Sequence, residues 1–375
     1  MKAIKWKRYI NYIVIAVAAI LFSVLSLTGV LKLGTQILLE KITYSIILAV
    51  SLSMVVGFLG ELSLGHAGFM CVGAYLGGKV ASLMDFGAES HLVLILSIIV
   101  GGLVAAVCGL IIGLPALRLK GDYLAIVTLA FGEIVRSLFL NSSPESFGAT
   151  LGLKTPKYDS KILFIYGFVF VLITLAVIQN IMRSKHGRAI TAIRDNEIAA
   201  KATGINVTKY KLLVFIVSAF FAGVAGVLFS HANYTVQSKT FDYNYSIEIL
   251  VMVVLGGMGS INGSIIAATL ITFLNEQLTT LLTGELSVLK DLLYALILIL
   301  LIIYNNAPAL KGFREKYNLR SLLAKVLRQR HNPSAEKDDE AKWHRVPTKI
   351  EMNEVLSTDI VVNESVSEHG DKGGK

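Results

Sequence analysis

Apolar runs of near-membrane length recur along most of this chain, and no other feature restricts its fold as strongly. They lie at Tyr9–Leu31, Glu40–Gly60, Phe69–Met84, Leu92–Gly113, Tyr123–Leu140, Ile162–Met182, Lys211–Ala232, Ser246–Met258, Ile261–Leu278 and Val288–Tyr304. About 20 apolar residues in a helix cross the roughly 30 Å hydrocarbon core of a bilayer. Lipid offers no partners to backbone amides, so each segment must pair its own N–H and C=O groups as a helix. With 54% hydrophobic and 16% charged residues, the chain cannot be an ordinary soluble domain. The fold class that follows is all-α, a polytopic membrane protein with about ten transmembrane helices, some of them broken or re-entrant. Residues 1–306 make up the transmembrane part. The first run follows Lys2, Lys5, Lys7 and Arg8. It is longer than the apolar core of a signal peptide and lacks a small-x-small cleavage site, so it is expected to stay as a span.

Charge orients the spans. Lys2 to Arg8, the Arg118/Lys120 turn, the loop from Arg183 to Lys211 and the basic run from Lys311 to Arg330 all fall on one side when ten spans are counted. Positive-inside bias makes that side the cytoplasm, with both termini there. Lys154, Lys157 and Lys161 lie opposite, accompanied by Glu145 and Asp159. The net charge of +9 therefore reflects topology and anionic headgroups of the lipid bilayer, and no nucleic-acid partner is expected. The two cysteines, Cys71 and Cys108, both sit within spans, which indicates neither a disulfide framework nor a metal site. From 307 to 375 the composition changes, first basic and then acidic. That tail is too poor in apolar clusters to offset the entropy of ordering, so it is expected to be a largely disordered cytoplasmic extension.

One polar loop, 183–210, stands out between two spans. In it Ala189, Ala192, Ile193, Asn196, Ala199, Ala200 and Thr203 recur at helical spacing, whereas Arg194, Glu197 and Lys201 fall on a wetter side. Gly204 is placed to end the helix. The pattern suits a docking helix whose small face enters a cleft on a soluble partner, and it equally suits an amphipathic helix lying on the membrane surface.

Glycine interrupts the apolar runs at two related places. Met54-Val55-Val56-Gly57-Phe58-Leu59-Gly60, followed by Ser63-Leu64-Gly65-His66-Ala67-Gly68, resembles Met252-Val253-Val254-Leu255-Gly256-Gly257-Met258-Gly259, followed by Asn262-Gly263-Ser264. Such breaks free backbone groups to line a cavity; they also allow tight helix packing through small residues. His66 reads as a hydrogen-bonded structural histidine. In the stretch from Leu114 to Arg136, Asp122 is placed to cap the following span. Glu133 and Arg136 form an i,i+3 pair that is either a structural ion pair or a substrate contact.

The chain has no Gly-x-x-x-x-Gly-Lys-Ser/Thr loop, no Ser/His/Asp set and no His-Glu-x-x-His. No catalytic residues, bound cofactor or metal are expected, and any ATP-driven motor must sit on another chain.

Four motifs, in order, carry a family resemblance. They are Leu64-Gly65-His66-Ala67-Gly68-Phe69, the run from Leu117 to Leu129, the loop from Gly187 to Ile205, and the run from Ser246 to Ser260. Together they look like the LivM-type permeases of branched-chain amino acid ABC importers, over roughly Ile42 to Tyr304. The resemblance implies a permease in a bacterial inner membrane, paired with a second homologous permease subunit, two cytoplasmic ATP-binding cassette ATPases and an extracytoplasmic substrate-binding protein. ATP and Mg²⁺ would be bound by the ATPases, and leucine, isoleucine or valine would be carried inward. Permeases for urea or short amides share the pattern. An ion-coupled secondary transporter or a membrane scaffold is a reading from another class. Under the resemblance, coupling to the ATPases falls to Arg188, Arg194, Asp195, Asn196, Glu197, Ala199, Ala200 and Gly204. Pathway candidates are Gly65, His66, Gly68, Asp122, Tyr123, Thr128, Glu133, Gly256 and Gly257, beside an apolar lumen supplied by Leu64, Phe69, Val127 and Leu129.

Overall fold

The structure, a computed structural model, describes residues 2–28, 31–84, 90–117, 119, 121–282 and 288–306. The 307–375 tail and the Arg118/Lys120 turn lie outside the described residues. The apolar runs become helices α1 (Lys2–Leu27), α2 (Leu33–Ser53), α3 (His66–Leu83), α4 (His91–Ala116) and α5 (Asp122–Leu140). A short α6 (Pro144–Phe147) follows, then α7 (Ser160–Arg183), α8 (Lys185–Asp195), α9 (Glu197–Ala202), α10 (Val207–Ala232), α11 (Tyr243–Gly256), α12 (Ile261–Leu281) and α13 (Val288–Asn306). Each of the ten apolar runs lies largely within one helix, of which α11 is short. Among the described residues, five helical segments are long and apolar enough to cross a membrane: Leu33–Leu59, His91–Ala116, Asp122–Leu140, Ser160–Arg183 and Val207–Ala232. The sequence reading assigned ten spans. α11, only 14 residues long, falls short of the roughly 20 a straight crossing requires.

At its C-terminal end α2 widens into a π-helical turn, Met54–Leu59, which stops at Gly60 with φ +80°. π turns are rare and concentrate at functional sites. The centre of the bundle is α3, α4 and α10. A Cβ on Gly73 of α3 would collide with the carbonyl oxygen of Gly223 of α10, so only glycine permits that backbone approach. Apolar side chains left outside, such as Leu92, Leu103 and Ile111 on α4 and Ile126, Ile134 and Leu138 on α5, form the faces a bilayer would cover. At the ends of the helices opposite the α8–α9 segment, β1 (Leu153–Lys154) pairs antiparallel with β2 (Thr235–Val236), Leu153 opposite Val236.

The polar loop is two helices, where one was expected. Asn196 has φ −158° and ψ 104°, and its side chain accepts hydrogen bonds from the amides of Ile198 and Ala199 at 3.0 Å each. An asparagine that caps so well cannot also continue the preceding helix. Gly204 ends α9 as expected: with φ +82° it donates to the Lys201 carbonyl, and Ile205 donates to that of Ala200. This is the paired closure of a helix finished by a left-handed glycine.

Candidate functional site

The split turns the small-residue face. Ala189, Ile193 and Ala200 of that face are buried against the chain's own helices, with Ile190, whereas Asn196, Ala199 and Thr203 are exposed, so only part of the face is open to a partner. The outward surface carries Arg188, Asp195, Asn196, Ile198, Ala199, Lys201, Ala202 and Gly204, with Ile198 77% exposed. A β-type backbone at Asn196 rotates α9 relative to α8, and a single helical wheel cannot represent two axes.

Two residues placed on the wet side turn inward instead. The stem of Arg194 lies over Gly60, where a Cβ would come within 2.7 Å of its Cγ, and its guanidinium donates to the Gly57 carbonyl at 3.3 Å. The same guanidinium pairs with Asp195 at 2.9 Å. Glu197 accepts from Lys201 at 2.9 Å and from Lys211 at 3.2 Å. The Lys211 ammonium, its side chain only 4% exposed, also pairs with Glu61 just beyond the π turn. An ammonium that deep is tolerated because two carboxylates neutralise it. A chain of contacts thus runs from α9 through Lys211 to Glu61, and from α8 through Arg194 to Gly57.

Sequence reasoning missed Lys211, treating it only as the start of an apolar run. The available signal was a lysine inside the first turn of a membrane-length helix, which requires a partner.

The two glycine-broken segments meet here. A Cβ on Gly57 would collide with the backbone nitrogen of Gly259. Gly257 and Gly259 hold φ of +89° and +83° in the turn between α11 and α12. The break in one half therefore rests, backbone to backbone, on the break in the other, with Arg194 beside both.

Pathway candidates divide between two places. At the first, α3 crosses α5. A Cβ on Gly65 would lie 2.7 Å from the Thr128 carbonyl oxygen, one on Gly68 would lie 2.7 Å from Gly132 Cα, and the Thr128 hydroxyl accepts from the Leu64 amide at 3.0 Å. A shallow crevice there is lined by Leu64, Gly68, Gly132, Glu133, Asp242 and Ser246. Glu133 pairs with Arg136 at 2.7 Å, as the i,i+3 spacing anticipates. His66 is buried and shares a hydrogen bond of 2.9 Å with the Ser51 hydroxyl, in accord with its structural reading. The second place is the α11–α12 turn, where Gly256 packs on the backbone of Gly263 and Gly257 supplies the left-handed bend.

Three expectations at this site are corrected. Asp122 does not cap α5; the cap residue is Gly121, with φ +60°, and Asp122 occupies the first turn without a capping bond. Tyr123 is 70% exposed on the outside of that helix, away from both places. Phe69 lines no lumen: it is 1% exposed and packs on Phe131 and Phe215, with ring centroids 4.9 and 5.6 Å away. The close helix approaches that the glycines of α3 permit bring Phe131 of α5 and Phe215 of α10 onto Phe69, which closes it into the core.

Comparison with known proteins accords with this geometry. The family described as branched-chain amino acid transport system / permease component matches residues 34–303. The high-affinity branched-chain amino acid transport system permease protein LivM of Salmonella typhimurium is 35% identical over 311 residues, covering 75% of this chain and 71% of that protein. LivM of Escherichia coli is 36% identical over 263 residues, covering 62% of this chain; the chain spans 60% of that relative's length. The ribose import permease protein RbsC of Escherichia coli is 27% identical over 290 residues, 72% of this chain and 84% of its own. No solved structure matches the chain. The chain belongs to the family of branched-chain amino acid transport system permease components.

Proposed function

We propose that this chain is one of two membrane permeases of an ATP-binding cassette importer that brings leucine, isoleucine or valine across a bacterial inner membrane. The observation that carries the reading is the similarity to LivM over three quarters of the chain. A second permease subunit, two cytoplasmic ATPases that bind ATP and Mg²⁺, and an extracytoplasmic binding protein complete the assembly. The chain performs no chemistry of its own and both its termini are cytoplasmic.

In this reading α8 and α9 are the coupling element. Their outward surface, with Arg188, Ile198, Ala199 and Gly204, meets an ATPase. Arg194 instead ties the element to Gly57 and Glu197 ties it through Lys211 to Glu61, while Asn196 caps α9. Force then enters through the segment and leaves through Gly57 and Glu61, which moves the α2 and α11–α12 breaks together. The inward ties at Arg194 and Lys211 favour this over a helix resting on a membrane surface, because a surface helix needs no such ties.

Uptake of labelled solutes into proteoliposomes containing the assembled complex tests the substrate. Leucine is expected to accumulate with ATP inside the partner-facing compartment, while urea and ribose are not. Accumulation of urea or ribose without leucine overturns the reading.

A further inference from the structure

A polar cavity of 430 Å³ lies among α2, α10, α11 and α12, far from the coupling element. Lys41, on its wall, is separated from Gly57 by 16 residues of helix, roughly 24 Å along the axis at 1.5 Å per residue. The volume falls in the size range of small-molecule sites.

Its wall holds charges of both signs, partly open to solvent. The Lys41 ammonium pairs with the Glu276 carboxylate at 2.6 Å across the gap between α2 and α12. Glu248 of α11 accepts from the Tyr294 hydroxyl at 3.0 Å and from the Asn275 amide at 3.3 Å. Thr272, 8% exposed, also lines the cavity, and its hydroxyl has no hydrogen-bond partner. Met252 and Phe229 supply apolar wall beside these groups.

From this arrangement we infer that the cavity is a binding station for α-amino acid zwitterions, and this inference rests on the amino acid importer reading above. A zwitterion can insert into the Lys41–Glu276 pair and leave neither charge without a partner. Its carboxylate takes Lys41 and its ammonium takes Glu276, so one ion pair becomes two. Glu248 adds negative potential on the ammonium side. An aliphatic side chain meets Met252 and Phe229. Neutral solutes such as urea and ribose cannot make this exchange, so the cavity discriminates by charge pattern first and by apolar fit second.

Thiol protection in the purified complex tests the station directly. Thr279, exposed and one turn from Glu276 on the cavity wall, is replaced by cysteine in a chain whose Cys71 and Cys108 are replaced by alanine. Labelling by a charged thiol reagent is followed with leucine, urea or ribose present. With leucine at about ten times the dissociation constant, mass action leaves roughly a tenth of the sites open, so labelling slows about tenfold. Urea and ribose leave the rate unchanged. Adding Glu276→Gln or Lys41→Met weakens leucine protection, read in each variant as the ratio of labelling rates with and without leucine. Equal labelling with and without leucine, in a complex that takes up leucine, overturns the station and leaves the importer reading standing. A complex that assembles and never transports leucine overturns the importer reading. Protection by urea or ribose overturns the zwitterion assignment.

Discussion

Lys211→Met removes the one cation shared by Glu61 and Glu197 while keeping the length and packing of the side chain. Both carboxylates touch the same ammonium, so they lie within about 6 Å of each other, where like charges oppose one another. Removing one partner of a fully buried pair costs about 3–5 kcal/mol. Glu197 is 20% exposed and retains Lys201, while Glu61 is 13% exposed; that relief brings the expected loss to about 2–3 kcal/mol. Adding Glu61→Gln removes much of the repulsion, so the double variant is expected to be more stable than the sum of the single changes, with a coupling of about 1–3 kcal/mol. The thermal midpoint of the purified complex reads stability, and uptake per ATP hydrolysed reads coupling. In Lys211→Met both fall, because the segment loses its tie to the residue after the π turn. A lower midpoint with native uptake per ATP refutes the transmission role. No change in either refutes the buried network itself.

Three further outcomes follow from the same geometry. Gly57→Ala pushes a Cβ into the Gly259 backbone, an overpacking of about 1–3 kcal/mol; uptake is expected to fall sharply with the subunits still assembled, and native uptake would show that the breaks do not need to touch. Ala200→Trp, at a site 4% exposed, destabilises the permease itself, whereas Ile198→Asp, at a site 77% exposed, spares its melting and releases the ATPase on purification; retention of the ATPase in Ile198→Asp argues against docking at this surface. Cysteines at Lys185 and Glu145 are expected to differ in intact cells, the second modified by an impermeant reagent and the first protected, and modification of the first would reverse the proposed orientation.

The helices were legible because length and apolarity dictate them under a bilayer's rules, and all ten apolar runs fall largely on helices, nine of them long and α11 short. Polar local detail was less legible. Asn196 lies at helical spacing with its small neighbours, yet its amide side chain competes for the next two N–H groups and breaks the helix. That competition is local and was available from the residue type. Lys211 and Arg194 were not readable in the same way, because their partners Glu61 and Gly57 lie 150 and 137 residues away. Likewise, glycine composition signalled the breaks at Gly57–Gly60 and Gly256–Gly259 but carried no statement that they touch. Phe69 was assigned to a lumen by neighbourhood in sequence, whereas aromatic partners on α5 and α10, Phe131 and Phe215, hold it in the core.

The contact between the two breaks explains why glycine rather than alanine suits both sides. Two helices separated by side chains can slide, since rotamers absorb small shifts. Backbones in direct contact have no such cushion, and close-packed interiors pass displacement on with little compression. Gly57 and Gly259 meet in that way, and Arg194 binds the carbonyl of the first while lying beside the second. A shift of α8 therefore acts on both halves at one point, without a separate lever for each. The π turn contributes the other requirement: its widened hydrogen bonding leaves a place where α2 can change register more easily than a regular helix does. Under the proposed coupling role, a rigid junction beside a yielding turn would turn a push on the surface loop into reorientation of buried helices, and both lie within reach of Arg194 and Lys211.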